Sequence, residues 1–198
     1  MKYINQLDYP EWLYVTRTEM AEPEHTKGKT TTVRSSGCGL CSAIMVADRL
    51  LVDSQFGLKE ALKLSYAVNA NINVGTNYKR FAPAFAEMLG LEWMPTNDPE
   101  ELRKCLRTGG AAVVHVGGDR EGHIGVFSHK GHYVAAISEE RDGRIAILDP
   151  SYKAGKYDEP GREGLVEMKN GVIALCDIQV LVDDSANRDP GFHLFWRK

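Results

Sequence analysis

The segment "SSGCGLCSAIM", residues 35–45, sets Cys38 and Cys41 three positions apart where a polar loop gives way to an apolar run. Thiols at this spacing serve four chemistries: half of a zinc site, a redox pair, ordinary core packing, or a nucleophile at a helix N-terminus. Zinc needs a second ligand pair. No second Cys-x-x-Cys exists, and His115, His123, His129 and His132 fall on expected strand and loop with no i, i+4 pairing. A redox motif follows the first strand of a βαβ unit, and no such strand is legible ahead of Cys38. Neither a metal nor a cofactor is therefore expected. A nucleophilic thiol must be ionised, and the N-terminus of a helix favours the thiolate through its dipole and unpaired N–H groups. Cys38 lies at such a start, between Gly37 and Gly39, which are expected to let backbone and substrate come close. Cys41, one turn in, reads as packing, as do Cys105 in "EELRKCLRTGG" and Cys176 in "GVIALCDIQVLV".

A thiol nucleophile needs a base, and the base an orienting group. The stretch "GHYVAAISEERDGRIAILDP" reads as a hairpin. If Glu139 pairs with Arg144, Asp149 falls opposite Val134, and His132 shares the face of Val134. Imidazole and carboxylate are then diagonal neighbours, roughly 7–8 Å apart at the backbone. A tighter turn shifts the offset and keeps the face. The expected roles are an Asp149 carboxylate that accepts the Nδ1 proton and an Nε2 free for Cys38. Asp149 itself reads as a partly exposed strand end before Pro150, and His115, His123 and His129 as groove residues without a carboxylate.

The elements that must position these groups fall into two runs. Residues 1–36 are expected to form a long, polar, turn-rich arm that wraps the surface and has room for a short strand. A helix from about Gly39 through "LCSAIMVADRLL" is apolar around most of its circumference, so it should be central and buried. Further helices follow in "GLKEALKLSYAVNAN" and "NYKRFAPAFAEMLG", with Pro83 in an early turn and Gly90 as the stop. The next begins at Asp98-Pro99 and ends at Gly109-Gly110. From Ala111 onward the pattern is of strands: "AAVVHVGG", the hairpin, "VIALCDIQVLV" and "FHLFWRK". Helices first and an antiparallel sheet second is the α+β arrangement. The chain divides into an arm (1–36), a helical half (37–110) and a β-sheet half (111–198) of one domain.

These residues resemble the papain-like cysteine peptidases related to the bacteriocin leader-processing (double-glycine) peptidases, in particular their stand-alone bacterial members. "SSGCGLCSAIMVADRL" is similar to their nucleophile segment, and "GHYVAAI" with "ILDPS" to their His and Asp strands. "YINQLDYP" is similar to the segment bearing their oxyanion-hole glutamine. The resemblance implies a papain-like fold and a peptide or protein substrate. It also implies Cys38 as nucleophile, His132 as general base, Asp149 as orienting carboxylate and Gln6 as oxyanion donor. Two other functions remain open on the same residues: an acyltransferase or transglutaminase-like enzyme, in which an amine replaces water, and a non-catalytic peptide-binding module.

Composition excludes other classes. The 198 residues are 43% hydrophobic and 26% charged with net charge −3, so a full core is available and no polyanion-binding surface is expected. The cationic run Arg103-Lys104 with Arg107 reads as a solvated helix face. No apolar stretch approaches the roughly 20 residues that span a bilayer. Residues 1–15 lack the apolar core of a signal peptide, so the chain is expected to be cytoplasmic, or secreted if a signal has been removed. The connections "VTRTEMAEPEHTKGKTTTVRS" and "VGGDREGHIGVFSHK" are expected to rim the groove.

Overall fold

The computed structural model describes residues 2–16, 29–72 and 75–198. A short 3-10 turn at Gln6–Asp8 precedes a hairpin of β1 (Leu13–Thr16) and β2 (Lys29–Thr32). Helices α1 (Val33–Ser36), α2 (Cys38–Leu50), α3 (Leu58–Ala67) and α4 (Tyr78–Leu89) come next. After them come β3 (Leu91–Thr96), α5 (Pro99–Arg107), β4 (Ala111–Val116), β5 (His132–Glu139) and β6 (Ile145–Leu148). The chain closes with β7 (Val166–Lys169), β8 (Ile173–Cys176), α6 (Ile178–Ser185) and β9 (Phe192–Arg197). Seven strands form one antiparallel sheet in the order β3-β9-β4-β5-β6-β8-β7.

The sheet is covered on both faces, and the side-chain alternation of β4 shows how. Ala111 and Val113 join a core with α2, α3 and α4, whereas Ala112, Val114 and Val116 join a second core with α5 and α6. Helix α2 is the hub of the first core. Leu40, Ile44, Met45 and Leu50 are at most 1% exposed, which contributes about 1.5–3 kcal/mol for each side chain buried. Arg49 Nε donates to Ile137 O at 3.0 Å and Ser42 Oγ to Tyr133 O at 3.2 Å, pinning α2 along β5.

Local chemistry accounts for several boundaries. Asp98 caps α5 through Glu100 N at 2.8 Å, with Pro99 in the first turn. Gly90 ends α4 in the left-handed conformation, φ 65°, where a Cβ would be unfavourable. Pro83 sits in the second turn of α4.

Four expectations need correction. The described part of residues 1–36 is not confined to the surface: Ile4, Tyr14 and Val33 belong to the first core. The helical half contains a strand, β3, because "LEWMPT" pairs along its whole length with β9 at the other end of the chain. The run "VIALCDIQVLV" is two elements, since Asp177 caps a helix through Gln179 N at 2.8 Å, leaving only Ile173–Cys176 as strand. Arg103 is not on a solvated face. With Arg107 it grips the nearly buried carboxylate of Glu139, tying α5 to the end of β5. Most of the expected rim segment 15–35 lies outside the described residues.

Tyr14 links the hairpin to the loop ahead of α4. Its hydroxyl, fully buried, lies 2.7 Å from Ser65 Oγ, 2.9 Å from Thr76 Oγ1 and 3.1 Å from Gly75 O. Tyr14→Phe strands those groups and should cost about 1–3 kcal/mol in urea unfolding. A loss well under 1 kcal/mol would mean that water replaces the hydroxyl and the hairpin is not held there.

Candidate active site

Cys38 is the first residue of α2, where backbone N–H groups lack a partner one turn back. The two flanking glycines are there for space. A Cβ on Gly37 would lie 2.6 Å from Val33 O, and one on Gly39 would lie 2.9 Å from Tyr78 Cε2. Gly37 has φ −91°, open to any residue, so close packing against the protein explains both. Tyr78 Oη donates to Gly39 O at 2.6 Å, and its ring stacks on Tyr133 at 4.6 Å. The start of α2 is thus seated on the residue that follows His132.

His132 opens β5, 5% exposed, and its Nε2 lies 2.8 Å from Asp149 Oδ1. Cys38 is near enough to the imidazole for the two charges to interact. Asp149 engages Nε2 rather than the expected Nδ1, which leaves Nδ1 as the ring nitrogen not bonded to the carboxylate. The hairpin register follows the expected pairing where it matters and departs from it at the turn. Ala135 pairs with Leu148 and Ala136 with Ile147, which extends to Asp149 opposite Val134. A bulge at Ile137 then shifts Glu139 onto Ile145 rather than Arg144.

Asp149 is not a partly exposed strand end. It is 1% exposed and surrounded by donors. Oδ1 also accepts from Ser151 N at 2.9 Å and Ser151 Oγ at 3.1 Å, while Oδ2 accepts from Tyr157 Oη at 2.8 Å and Lys156 Nζ at 2.5 Å. Lys156 is itself 6% exposed and reaches Ser151 Oγ at 2.8 Å. Ser151, Lys156 and Tyr157 were missed in the sequence. The only signal was their closeness to Asp149 in "DPSYKAGKY", which a surface turn would equally produce.

Gln6 is buried at 6% and lines the same cleft as Cys38 and His132. Its backbone N–H donates to Pro150 O at 2.7 Å, and Tyr3 Oη donates to Asp149 O at 2.7 Å. The N-terminal segment is thereby strapped to the loop that bears the carboxylate. Gln6 Nε2 donates one hydrogen to Arg34 O at 2.8 Å, which fixes the amide and leaves its second N–H available. The cleft has a volume of about 880 Å³. His115, Ser128, Lys130 and Arg188 form part of its wall, so the loop after β4 contributes to the rim as expected.

The electrostatics separate the cysteines. Burial alone would raise the Cys38 thiol, but the adjacent His132 charge and hydrogen bond turn the net shift downward. Burial pushes Cys41 strongly up, and Cys105 and Cys176 up to about 12. Burial would lower His132, yet Cys38 and Asp149 together hold it up at about 9. Asp149 resists burial in the opposite sense: His132 and Lys156 hold its carboxyl well below the usual carboxylate range.

Two other histidines do have carboxylate partners, contrary to expectation. His123 Nε2 lies 2.8 Å from the fully buried Asp184, which also accepts from Val126 N and Phe127 N at 2.9 Å each. His129 bridges Asp119 and Glu159 at the surface. Both tether the loop between β4 and β5. His115 stacks on Tyr133 at 4.2 Å, and burial keeps it neutral, with its value lowered to about 3. Among the described residues, no three His, Cys, Asp or Glu side chains are grouped to hold a metal ion, and no helix is long and apolar enough to cross a membrane.

Neither a family model nor a curated protein matches the sequence. A solved structure described as a "putative C39-like peptidase from Bacillus anthracis" aligns with TM-score 0.54 at 10% identity, covering 94% of this chain and 98% of that one. At that identity the likeness is one of fold: the mixed helical and antiparallel arrangement is shared over nearly the full length of both chains.

Lys156 and His132 compete for one carboxylate. In Lys156→Met the imidazolium has Asp149 to itself, so its proton is held more tightly. The His132 ring, raised to about 9 in the wild type, should then titrate at higher pH, as read by NMR. Stability at neutral pH should fall by about 3 kcal/mol, because a buried charge loses a partner. A His132 titration that stays put or moves down would show that Lys156 does not act on the imidazole through Asp149.

Proposed function

We propose that the protein is a cysteine peptidase of papain-like arrangement, cleaving a peptide or protein substrate through a thioacyl intermediate. The observation that carries this reading is that Cys38 and His132 line one open cleft and interact electrostatically, while His132 Nε2 is bonded to the buried Asp149. A thiol whose ionisation is favoured, next to an imidazole whose protonated form is favoured, is a nucleophile and an acid held in one pair. The fold shared with the Bacillus anthracis structure supports the same reading.

In the proposed reaction the Cys38 proton passes to His132 Nδ1 and the thiolate attacks the carbonyl carbon of the scissile bond. The Cys38 N–H at the helix start and the second Nε2–H of Gln6 stabilise the oxyanion. The imidazolium gives its proton to the leaving amine, and the C–N bond breaks to leave a thioester on Cys38. His132 then takes a proton from water, whose oxygen attacks the thioester and releases the acid and the free thiol. Asp149 exchanges no proton in this scheme. Its charge holds the ring in place and stabilises the imidazolium.

Cys38→Ser should abolish turnover, while Cys41→Ser keeps most of it, as measured with a quenched fluorescent peptide mixture. Activity that survives in Cys38→Ser and disappears in Cys41→Ser would assign the wrong thiol. The pH dependence of kcat/KM should be bell-shaped. Its acid limb lies below the ordinary thiol value and follows formation of the Cys38–His132 ion pair. Its alkaline limb lies near 9, where the raised imidazolium loses its proton. An alkaline limb near 6.5, the unperturbed histidine value, would mean that His132 is not held as the acid.

A further inference from the structure

The walls of the cleft are unevenly charged. Among the described residues, Lys79, Lys130 and Arg188 face it against a single carboxylate, Asp189, whose Oδ1 accepts from Asn97 Nδ2 at 3.1 Å. Among the described residues, none of the three cations forms an ion pair with a carboxylate. Arg188 differs from the two exposed lysines in being half-buried and held. Its Nε donates to Val116 O at 3.4 Å and its Nη2 to Gly117 O at 3.2 Å. Carbonyl partners orient a guanidinium without neutralising it, and the Nη1 donors stay available. Two glycines make room for this seat. A Cβ on Gly131 would lie 2.8 Å from Arg188 Nη2, and one on Gly117 would lie 1.6 Å from Asn187 Oδ1.

Gly131 immediately precedes His132, so the guanidinium sits on the imidazole side of the cleft. In the proposed reaction the imidazolium protonates the leaving amine, and the leaving segment is released on that side. A planar, fixed guanidinium with spare N–H groups matches a carboxylate in two-point geometry. We propose that Arg188 is a specificity-determining residue that binds a substrate carboxylate on the leaving-group side of the scissile bond, a reading that rests on the peptidase function of the cleft. That carboxylate is either an Asp or Glu side chain following the bond or the C-terminal carboxylate of a short leaving segment.

Two measurements test it. The first compares the rate at which Cys38 reacts with dithiobis-nitrobenzoate, which carries carboxylates, and with neutral dithiodipyridine, after subtraction of the Cys38→Ser background. Both reagents meet the same thiolate, so their ratio cancels any change in Cys38 ionisation. Arg188→Gln should lower the ratio about tenfold, equivalent to about 1.4 kcal/mol, and Arg188→Lys should lower it less. An unchanged ratio in Arg188→Gln overturns the proposal whether or not the protein cleaves peptides. The second profiles cleavage of a peptide library prepared with free and with amidated C-termini. Enrichment of Asp and Glu after the cleaved bond, lost in Arg188→Gln, identifies the side-chain source. Dependence on the free terminus, lost in the same variant, identifies the terminal source. Cleavage indifferent to both overturns the proposal. A lowered reagent ratio with no cleavage of any peptide by the wild type overturns the peptidase reading and leaves the anion site standing.

Discussion

The buried charge of Asp149 is the constraint around which the site is arranged. A carboxylate taken out of water is strongly disfavoured unless its oxygens are satisfied and its charge is balanced. Here His132, Lys156, Tyr157 and both polar groups of Ser151 supply the donors. Each comes from a segment that must be in place for the carboxylate to be tolerated. The start of β5, the loop after β6 and the turn that follows it are therefore fixed together. One consequence is that the ring of His132 has little freedom to swing away from Cys38. Another is that the carboxylate serves two cations, so the strength with which it holds the imidazolium reflects the position of Lys156.

The sheet provides the second requirement, which is to bring a helix end and a strand end to the same place. Its two covered faces separate the layers along most of β5: Tyr133, Ala135 and Ile137 pack with α2, while Val134 and Ala136 pack with the opposite core. His132 and Asp149 share the alternation of that opposite core, yet the imidazole interacts with the thiol at the start of α2. His132 is the first residue of its strand. Tyr78 completes the junction, bonded to Gly39 and stacked on Tyr133. The N-terminal segment closes the site from the other side through Gln6, Tyr3 and Asn5, all bonded to the loop around Asp149.

The same geometry sorts the remaining histidines by what surrounds them. His123 is a loop tether because Asp184 is buried and already bonded to two backbone N–H groups. His115 is in the cleft wall but stacked and desolvated, which suppresses its charge. Among the described residues, His132 is the histidine that combines a buried carboxylate with a neighbouring thiol.

By itself the sequence determined whatever depends on local pattern and short-range pairing. The all-round apolar run after Gly39 has no stable home except the interior, so α2 was legible as a buried helix from about Gly39, one residue after its start at Cys38. Asp98-Pro99 and Gly90 act within one turn of their own positions, and the hairpin brings His132 and Asp149 to one face through pairing alone. Tertiary structure decided everything that rests on contacts between distant segments. "LEWMPT" has no strong strand pattern of its own and becomes a strand because β9 offers it an edge to pair with. The burial of Asp149, the recruitment of Lys156 and Tyr157, and the nitrogen that His132 presents to Asp149 follow from which side chains converge in three dimensions. Gln6 is the plainest case. An amide in a polar N-terminal stretch carries no local sign of burial, and only the strap onto Pro150 and Arg34 holds it in the wall of the cleft that Cys38 also lines.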